Sequence, residues 1–174
     1  MLATLTRAAE KPVVVDQVHS QIEIVVKATM DSFTGKLAAF APTFAADPGT
    51  GQIMSARISF HFNDVKTGNE KRDHEMHVWQ QTDKFPDGAF TLDALTPSPD
   101  GKFTAKGGLT FHGMTNSISF PVSITRDGST VTVAGEAVVD TKAFGLPIIR
   151  KFALLKVDPL VVVRFHLVGE LPAP

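Results

Sequence analysis

Alternation with a period of two, repeated along most of the chain, constrains this sequence more than any other feature. In Gln21–Lys27, Ile22, Ile24 and Val26 share a face. In Arg57–Asn63, Ile58, Phe60 and Phe62 alternate with Arg57, Ser59, His61 and Asn63. Phe90 and Leu92 alternate with Thr91 and Asp93. Phe103, Ala105, Gly107, Leu109 and Phe111 then oppose Thr104, Lys106, Gly108 and Thr110. Ile118, Phe120, Val122 and Ile124 continue the pattern, followed by Val131 and Val133, then by Val161, Val163, Phe165 and Leu167. Successive strand side chains point to opposite faces, so each run is a strand with one apolar side. The runs are separated by Asp47–Gly51, Pro86–Gly88, Pro97–Gly101 and Arg126–Ser129, all rich in turn formers. Many one-sided strands joined by short turns make an antiparallel sheet, and such a sheet must curl into a barrel or sandwich to bury its apolar faces.

Several runs are long. Lys102–His112 would extend about 33 Å at ~3.3 Å per residue. Gly107 and Gly108 permit sharp coiling there, and Pro121 marks an edge, bulge or mouth position. One segment reads as helix, Lys71–Trp79, preceded by the capping-box pattern Thr67-Gly68-Asn69-Glu70. A second short helix or a loop covers Phe144–Lys156. With no linker, repeat or low-complexity stretch, 174 residues form one domain. Residues 1–12 are an N-terminal extension and residues 13–171 the barrel.

Composition narrows the function. Phe 13 against Trp 1 and Tyr 0 favours an apolar lining over a wet interface. A formal net charge of -1 offers no electrostatic case for nucleic acid. With no cysteine there is no disulfide, thiolate nucleophile or thiolate zinc site. No apolar run is long enough for an integral membrane span, and Met1–Glu10 lacks the apolar core of a signal peptide.

Four blocks carry a resemblance to a known family. Val15-Asp16-Gln17-Val18-His19-Ser20 opens an alternating strand. Asp64–Asp73 contains Thr67-Gly68-Asn69-Glu70-Lys71-Arg72-Asp73, followed by Asp83-Lys84-Phe85-Pro86. Gly108-Leu109-Thr110-Phe111-His112-Gly113-Met114-Thr115 and Asp140-Thr141-Lys142-Ala143-Phe144-Gly145-Leu146 complete the set. In this order and spacing the chain resembles the YceI-like family of bacterial polyisoprenoid-binding proteins, over about Val13 to Leu171. The resemblance implies an all-β, extended eight-stranded antiparallel lipocalin-like barrel with one or two short helices. It also implies a long isoprenoid or similar amphiphile inside, and homodimers among some members. It implies a periplasmic or secreted location if a signal peptide is missing from the chain, and a cytoplasmic one otherwise. Two stretches depart from the family pattern. Ala28 stands where a histidine is usual, and an insertion runs through Pro147–Leu155.

The site expectations follow. Ile24, Val26, Phe60, Phe62, Phe90, Leu92, Leu109, Phe111, Phe120, Val122 and Phe144 line the cavity, with His19, Arg72, His74 and Trp79 at its mouth or around a head group. Arg72, with its planar fork, suits phosphate or a quinone oxygen; equally, Arg72 and Asp73 could pin the helix to the barrel. His74 and His77, three apart, are exposed helix residues rather than metal ligands, and His61, His112 and His166 meet solvent. No cofactor is required beyond a bound isoprenoid or other long-chain lipid. The leading reading is a non-catalytic binder or carrier of a polyisoprenoid, an isoprenoid quinone or a similar lipid. The alternatives are a barrel enzyme using His19, Arg72 and His74 as acid–base groups, or a filled barrel serving as a stress or interaction module.

Overall fold

The computed structural model describes residues 10–29, 31–151 and 155–171. Strands β1 (Lys11–Lys27), β2 (Ser32–Leu37), β3 (Ala41–Ala46), β4 (Ile53–His61) and β5 (Val65–Lys66) lead to helix α1 (Glu70–Gln80). Strands β6 (Asp87–Pro97), β7 (Phe103–Phe111), β8 (Met114–Asp127) and β9 (Thr130–Asp140) follow, then the short β10 (Arg150–Lys151) and β11 (Leu155–Lys156), and β12 (Leu160–Glu170). Single 3-10 turns cover Phe62–Asp64 and Thr141–Phe144.

Pairing is antiparallel throughout, and the ring β1-β12-β9-β8-β7-β6-β4-β3 closes on β1 as an eight-stranded barrel, as the alternation and the resemblance both imply. Strand β1 closes it with two partners on one edge. Its start pairs with β3 (Lys11 opposite Ala46) and its end with β2 (Lys27 opposite Ser32). β2 and β3 are thus two halves of one interrupted strand. Only β3 continues to β4, while β2 carries the two-residue β5 outside the ring.

Local chemistry explains most element ends, and several expectations are corrected. Asn69, not Thr67, caps α1: its side chain accepts from Arg72 N at 3.0 Å. The Thr67 hydroxyl is already committed, donating to Asp73 Oδ1 at 2.6 Å. Asp87 and Gly88 open β6 rather than forming a turn, paired with His61 and Phe60 of β4, and glycine is needed at 88 because a Cβ there would fall 2.3 Å from the Phe60 ring. β4 ends at His61, and Phe62 sits on the following 3-10 turn. Strand β7 stops at Phe111 because His112 and Gly113, both at positive φ (50° and 71°), form the hairpin to β8. Gly107 serves close approach, since a Cβ there would lie 2.3 Å from the Thr91 carbonyl. Over Phe144–Lys156, read as a short helix or loop, the described residues form the end of a 3-10 turn, a loop over 145–149 and the two-residue strands of the β10–β11 ribbon. The apolar periodicity is too short there to specify either.

One end of the barrel is filled. Val13, Phe44, Ala46, Ile53, Val131, Leu167 and Leu171, from the starts of β1, β4 and β9 and the ends of β3 and β12, pack as one cluster. A smaller cluster of Ala105, Phe120, Val122 and Ala137 is formed by β7, β8 and β9. Towards the other end, β8 and β9 part company. Their pairing covers only Val122–Asp127 against Gly135–Thr130, and Pro121, with no N–H to give, is the first β8 residue beyond it. The Thr141–Phe144 turn packs beside the unpaired stretch of β8, where Asn116 Nδ2 donates to Ala143 O at 2.8 Å.

Candidate ligand-binding cavity

Because β-strand side chains alternate, a closed ring of half-apolar strands puts all its apolar faces on one axis. The filled end uses only part of that length. Above it lies a cavity of about 1070 Å³, at the top of the roughly 300–1,000 Å³ range of small-molecule sites.

The structure places ten of the eleven expected lining residues on its wall. Ile24 and Val26 come from β1, Phe60 from β4, and Phe62 from the turn that follows. Phe90 and Leu92 come from β6, Leu109 and Phe111 from β7, and Phe120 and Val122 from β8. Phe62 keeps the face that the alternation assigns it even though its strand has ended. Phe144 is displaced from the expected wall position: its side chain is 1% exposed and stands behind Phe111, the ring centroids 5.5 Å apart in an edge-to-face contact. It lies next to the stretch where β8 and β9 are unpaired. Other wall residues escaped the sequence reading. Phe165 could have been named from the Val161–Leu167 alternation, whereas Phe33 in the short β2 gave no periodic signal.

The mouth lies at the open end. Asn69 at the helix cap and Arg72, Met76 and Trp79 of α1 reach it, with Ala28, Asp31 and Phe33 from the β1–β2 hairpin, and Pro147–Arg150 with Val157–Pro159 from the β9–β12 connection. Two contacts hold the helix across this opening. Trp79 Nε1 donates to Pro147 O at 2.8 Å, and the Arg72 guanidinium lies over the Phe33 ring, 4.2 Å from its centroid. Asp73 turns the other way and accepts from Thr67 N at 2.9 Å and from its hydroxyl, tying down the loop before the helix. The Arg72-Asp73 pair therefore divides its work: Asp73 shapes the helix entry and Arg72 stands on the rim. The two departures from the family pattern meet here as well. Ala28 bridges to Val157, and Thr29 N donates to Lys156 O at 3.0 Å, so the replaced histidine position and the residues that directly follow the inserted segment share one side of the mouth.

The histidines scatter. His74 lies exposed on the rim. His77 faces under the helix, edge-on to Phe62 at 5.9 Å, and so is half-buried rather than exposed as expected. With the Thr82 hydroxyl donating to Gln80 Oε1, Thr82 accepts from His77 Nδ1 at 3.2 Å. Burial, then the nearby Lys66 charge, hold the His77 imidazole below its usual pKa. His19 sits away from the mouth, in the bulge of β1 between Asp16 and Gln21, and donates to Asp16 Oδ2 at 2.6 Å. That contact and the neighbouring backbone N–H groups hold the Asp16 carboxyl below its ordinary range. His19 therefore does not join Arg72 and His74 in one constellation. His61 and His166 are exposed, His61 bonded to Asp87 at 2.6 Å. His112 is corrected: its Nδ1 donates to Phe144 O at 2.9 Å, leaving Nε2 buried without a partner beside Phe85. Among the described residues no three His, Asp or Glu side chains gather as a metal site, and no helix is long and apolar enough to cross a membrane. Ionisable lining groups are confined to the rim: Asp31, Lys71, Arg72, His74, Glu75, Arg150 and Asp158.

Comparison with known proteins gives the same architecture. The family described as a YceI-like domain matches residues 14–169. Among curated proteins none matches the chain. The crystal structure of Burkholderia cenocepacia BcnA superposes with a TM-score of 0.77 at 24% identity, covering 88% of this chain and 98% of that one. A polyisoprenoid binding domain from Saccharophagus degradans, implicated in plant cell wall breakdown, gives 0.71 at 16% identity, over 94% and 100%. The Campylobacter jejuni YCEI protein gives 0.59 at 18%, over 64% and 70%.

Proposed function

The chain belongs to the YceI-like domain family, and from that premise we propose that it binds one long apolar lipid, a polyisoprenoid, an isoprenoid quinone or a similar amphiphile, and carries or sequesters it without chemical change. The observation that supports this most is the partition of the cavity: about 1070 Å³ of apolar-walled space with ionisable side chains only around the mouth. An apolar chain enters such a space because leaving water is favourable by roughly 25 cal/mol per Å². A chain burying ~400 Å² gains ~10 kcal/mol, against association costs of ~4–15 kcal/mol. Only a long, largely enclosed tail leaves a surplus.

The likeness to a domain described as polyisoprenoid-binding supports the isoprenoid class. The absence of a common site for His19, Arg72 and His74 speaks against the acid–base alternative, and the open cavity speaks against a filled barrel. A periplasmic or secreted location is the family-level expectation carried with this reading. The test is organic extraction of protein purified from its native host, followed by mass spectrometry. A stoichiometric long-chain lipid is expected. Recovery of an empty protein that also takes up no added polyprenol or quinone would remove the proposal.

A further inference from the structure

We infer that a floor one side chain thick, made of Phe44, Ile53, Val133 and Leu167, sets the longest tail the barrel accepts, and that the Phe44 ring fixes this limit. The inference rests on the lipid-binding reading above and specifies how long the guest is.

The cavity and the filled end meet at these four side chains. Each lines the large cavity, and each also lines a second space of about 10 Å³ beside Val13 and Val131 of the end cluster. A space of that size holds at most one water molecule. A single layer therefore separates about 1070 Å³ of open interior from a closely packed end. That end is also shut from outside. Leu171 N donates to Ser129 O at 2.8 Å, and the Leu171 side chain reaches the Asp47–Gly51 turn, 3.3 Å from where a Cβ on Gly51 would stand. A tail entering at the mouth meets a blind end.

Of the four floor residues Phe44 carries the largest side chain, and it is 8% exposed. It stands opposite Ala56 of β4 in the β3–β4 pairing, and Ala56 lines the cavity too. Residues directly opposite on paired strands share a face, so the bulkiest floor residue and a small one sit side by side. Removing the ring at 44 deepens the cavity, and adding one at 56 raises its floor into open space. When a lipid is supplied from detergent micelles, all of its tail is already out of water. Each isoprene unit that finds no room in the barrel then weakens binding ~10-fold or more. Loading is thus even up to the capacity and falls steeply beyond it. A phenyl ring and an isoprene unit hold nearly the same number of carbons, so losing the Phe44 ring should move that edge by about one unit.

The test loads delipidated protein from micelles holding an equimolar series of isoprenoid quinones that differ only in the number of isoprene units. Folded protein is isolated by gel filtration, which discards any unfolded fraction, and its bound quinones are extracted and quantified. Wild type should show an upper edge in tail length, a drop of ~10-fold or more across one unit. Phe44→Ala should move the edge to longer tails by about one unit, and Ala56→Phe to shorter tails by as much. Phe60→Ala removes the same ring from the side wall, ~13 Å along β4 from Ala56; it should weaken all lengths alike and leave the edge in place. Where Phe44→Ala yields no folded protein, Phe44→Leu and Ala56→Phe decide, with the same opposite signs. An edge unmoved by the changes at 44 and 56 would overturn the inference. So would an edge moved as far by Phe60→Ala, which would make total volume the limit, or even loading of every length by wild type. Failure of the whole series to load would remove the inference together with the lipid reading.

Discussion

Truncating Phe144 to alanine separates a residue that holds the wall together from one that touches a guest. The side chain is 1% exposed and packs edge-to-face on Phe111. Cutting a fully enclosed phenylalanine to alanine costs ~3–5 kcal/mol, because the removed contacts are lost and the space left behind collapses only in part. Against a total stability of ~5–15 kcal/mol, that is a large fraction. With a urea slope of ~2 kcal/mol per M, the unfolding midpoint should fall by about 2 M. Phe60 provides the contrast. It faces the cavity, so part of its surface has no partner atoms to lose in the empty protein, and Phe60→Ala should cost only ~1–2 kcal/mol. The order reverses for the guest: Phe60→Ala weakens lipid binding several-fold, whereas Phe144→Ala leaves the affinity of the folded protein little changed. Urea denaturation followed by circular dichroism, with lipid titrations alongside, measures both. A midpoint shift below ~0.5 M for Phe144→Ala, or a larger stability loss for Phe60→Ala than for Phe144→Ala, would refute the assignment of Phe144 to wall closure.

Gly107→Ala should destabilise by ~1–3 kcal/mol or more, since the nearest obstacle is the fixed Thr91 carbonyl at 2.3 Å, with the Phe90 ring at 2.6 Å beside it; thermal unfolding reads it, and an unchanged Tm would contradict the close approach. Trp79→Phe keeps the ring but removes the donor to Pro147 O, a contact worth ~0.5–1.5 kcal/mol. Exchange of a fluorescent fatty acid should therefore quicken ~2–10-fold, and an unaltered release rate would show that this contact does not gate the mouth. His77 has a folded pKa below its unfolded value of about 6.5. The fold therefore keeps its full stability above that value and loses stability as pH falls through the folded pKa, because only the unfolded chain binds the proton between the two. His77→Gln should flatten the Tm-versus-pH curve between pH 7 and 5, and a variant as steep as wild type would place the dependence elsewhere.

The ring of strands was legible because its evidence is local and repeated: each strand declares its buried face every second residue, and Phe60 and Phe62 stay on that face even across the end of β4. The helix was legible for the same reason, but its cap was not. Thr67 and Asn69 are both competent acceptors two residues apart, and only the contact of Thr67 with Asp73 decides between them. The cavity wall could be read from the strands that form it, whereas Phe144 could not be told from a lining residue. Its hydrophobicity is the same in either role, and its position beside the separation of β8 from β9 is a property of pairing. His112 shows the same limit. It continues the polar face of its run by number, but the hairpin turns it to positive φ and onto the Phe144 carbonyl. His19 lies beside a β1 bulge that appears only when β1 meets β12.

The interrupted strand has a consequence for how a closed barrel admits a large guest. β2 and β5 hang from the last turnings of β1 and complete its edge at the mouth end, which β3 does not reach. Peeling them away would break the five residue pairs of β2 with β1 and uncover the buried Leu37 and Val65, while the β1–β3 pairing at Lys11–Val13 stays intact. The mouth half of that seam is therefore held by different residues from the filled end. Amide protons of Ser32–Leu37 should exchange with solvent well before those of β8 or β12, so that the two ends of one seam differ in how readily they open.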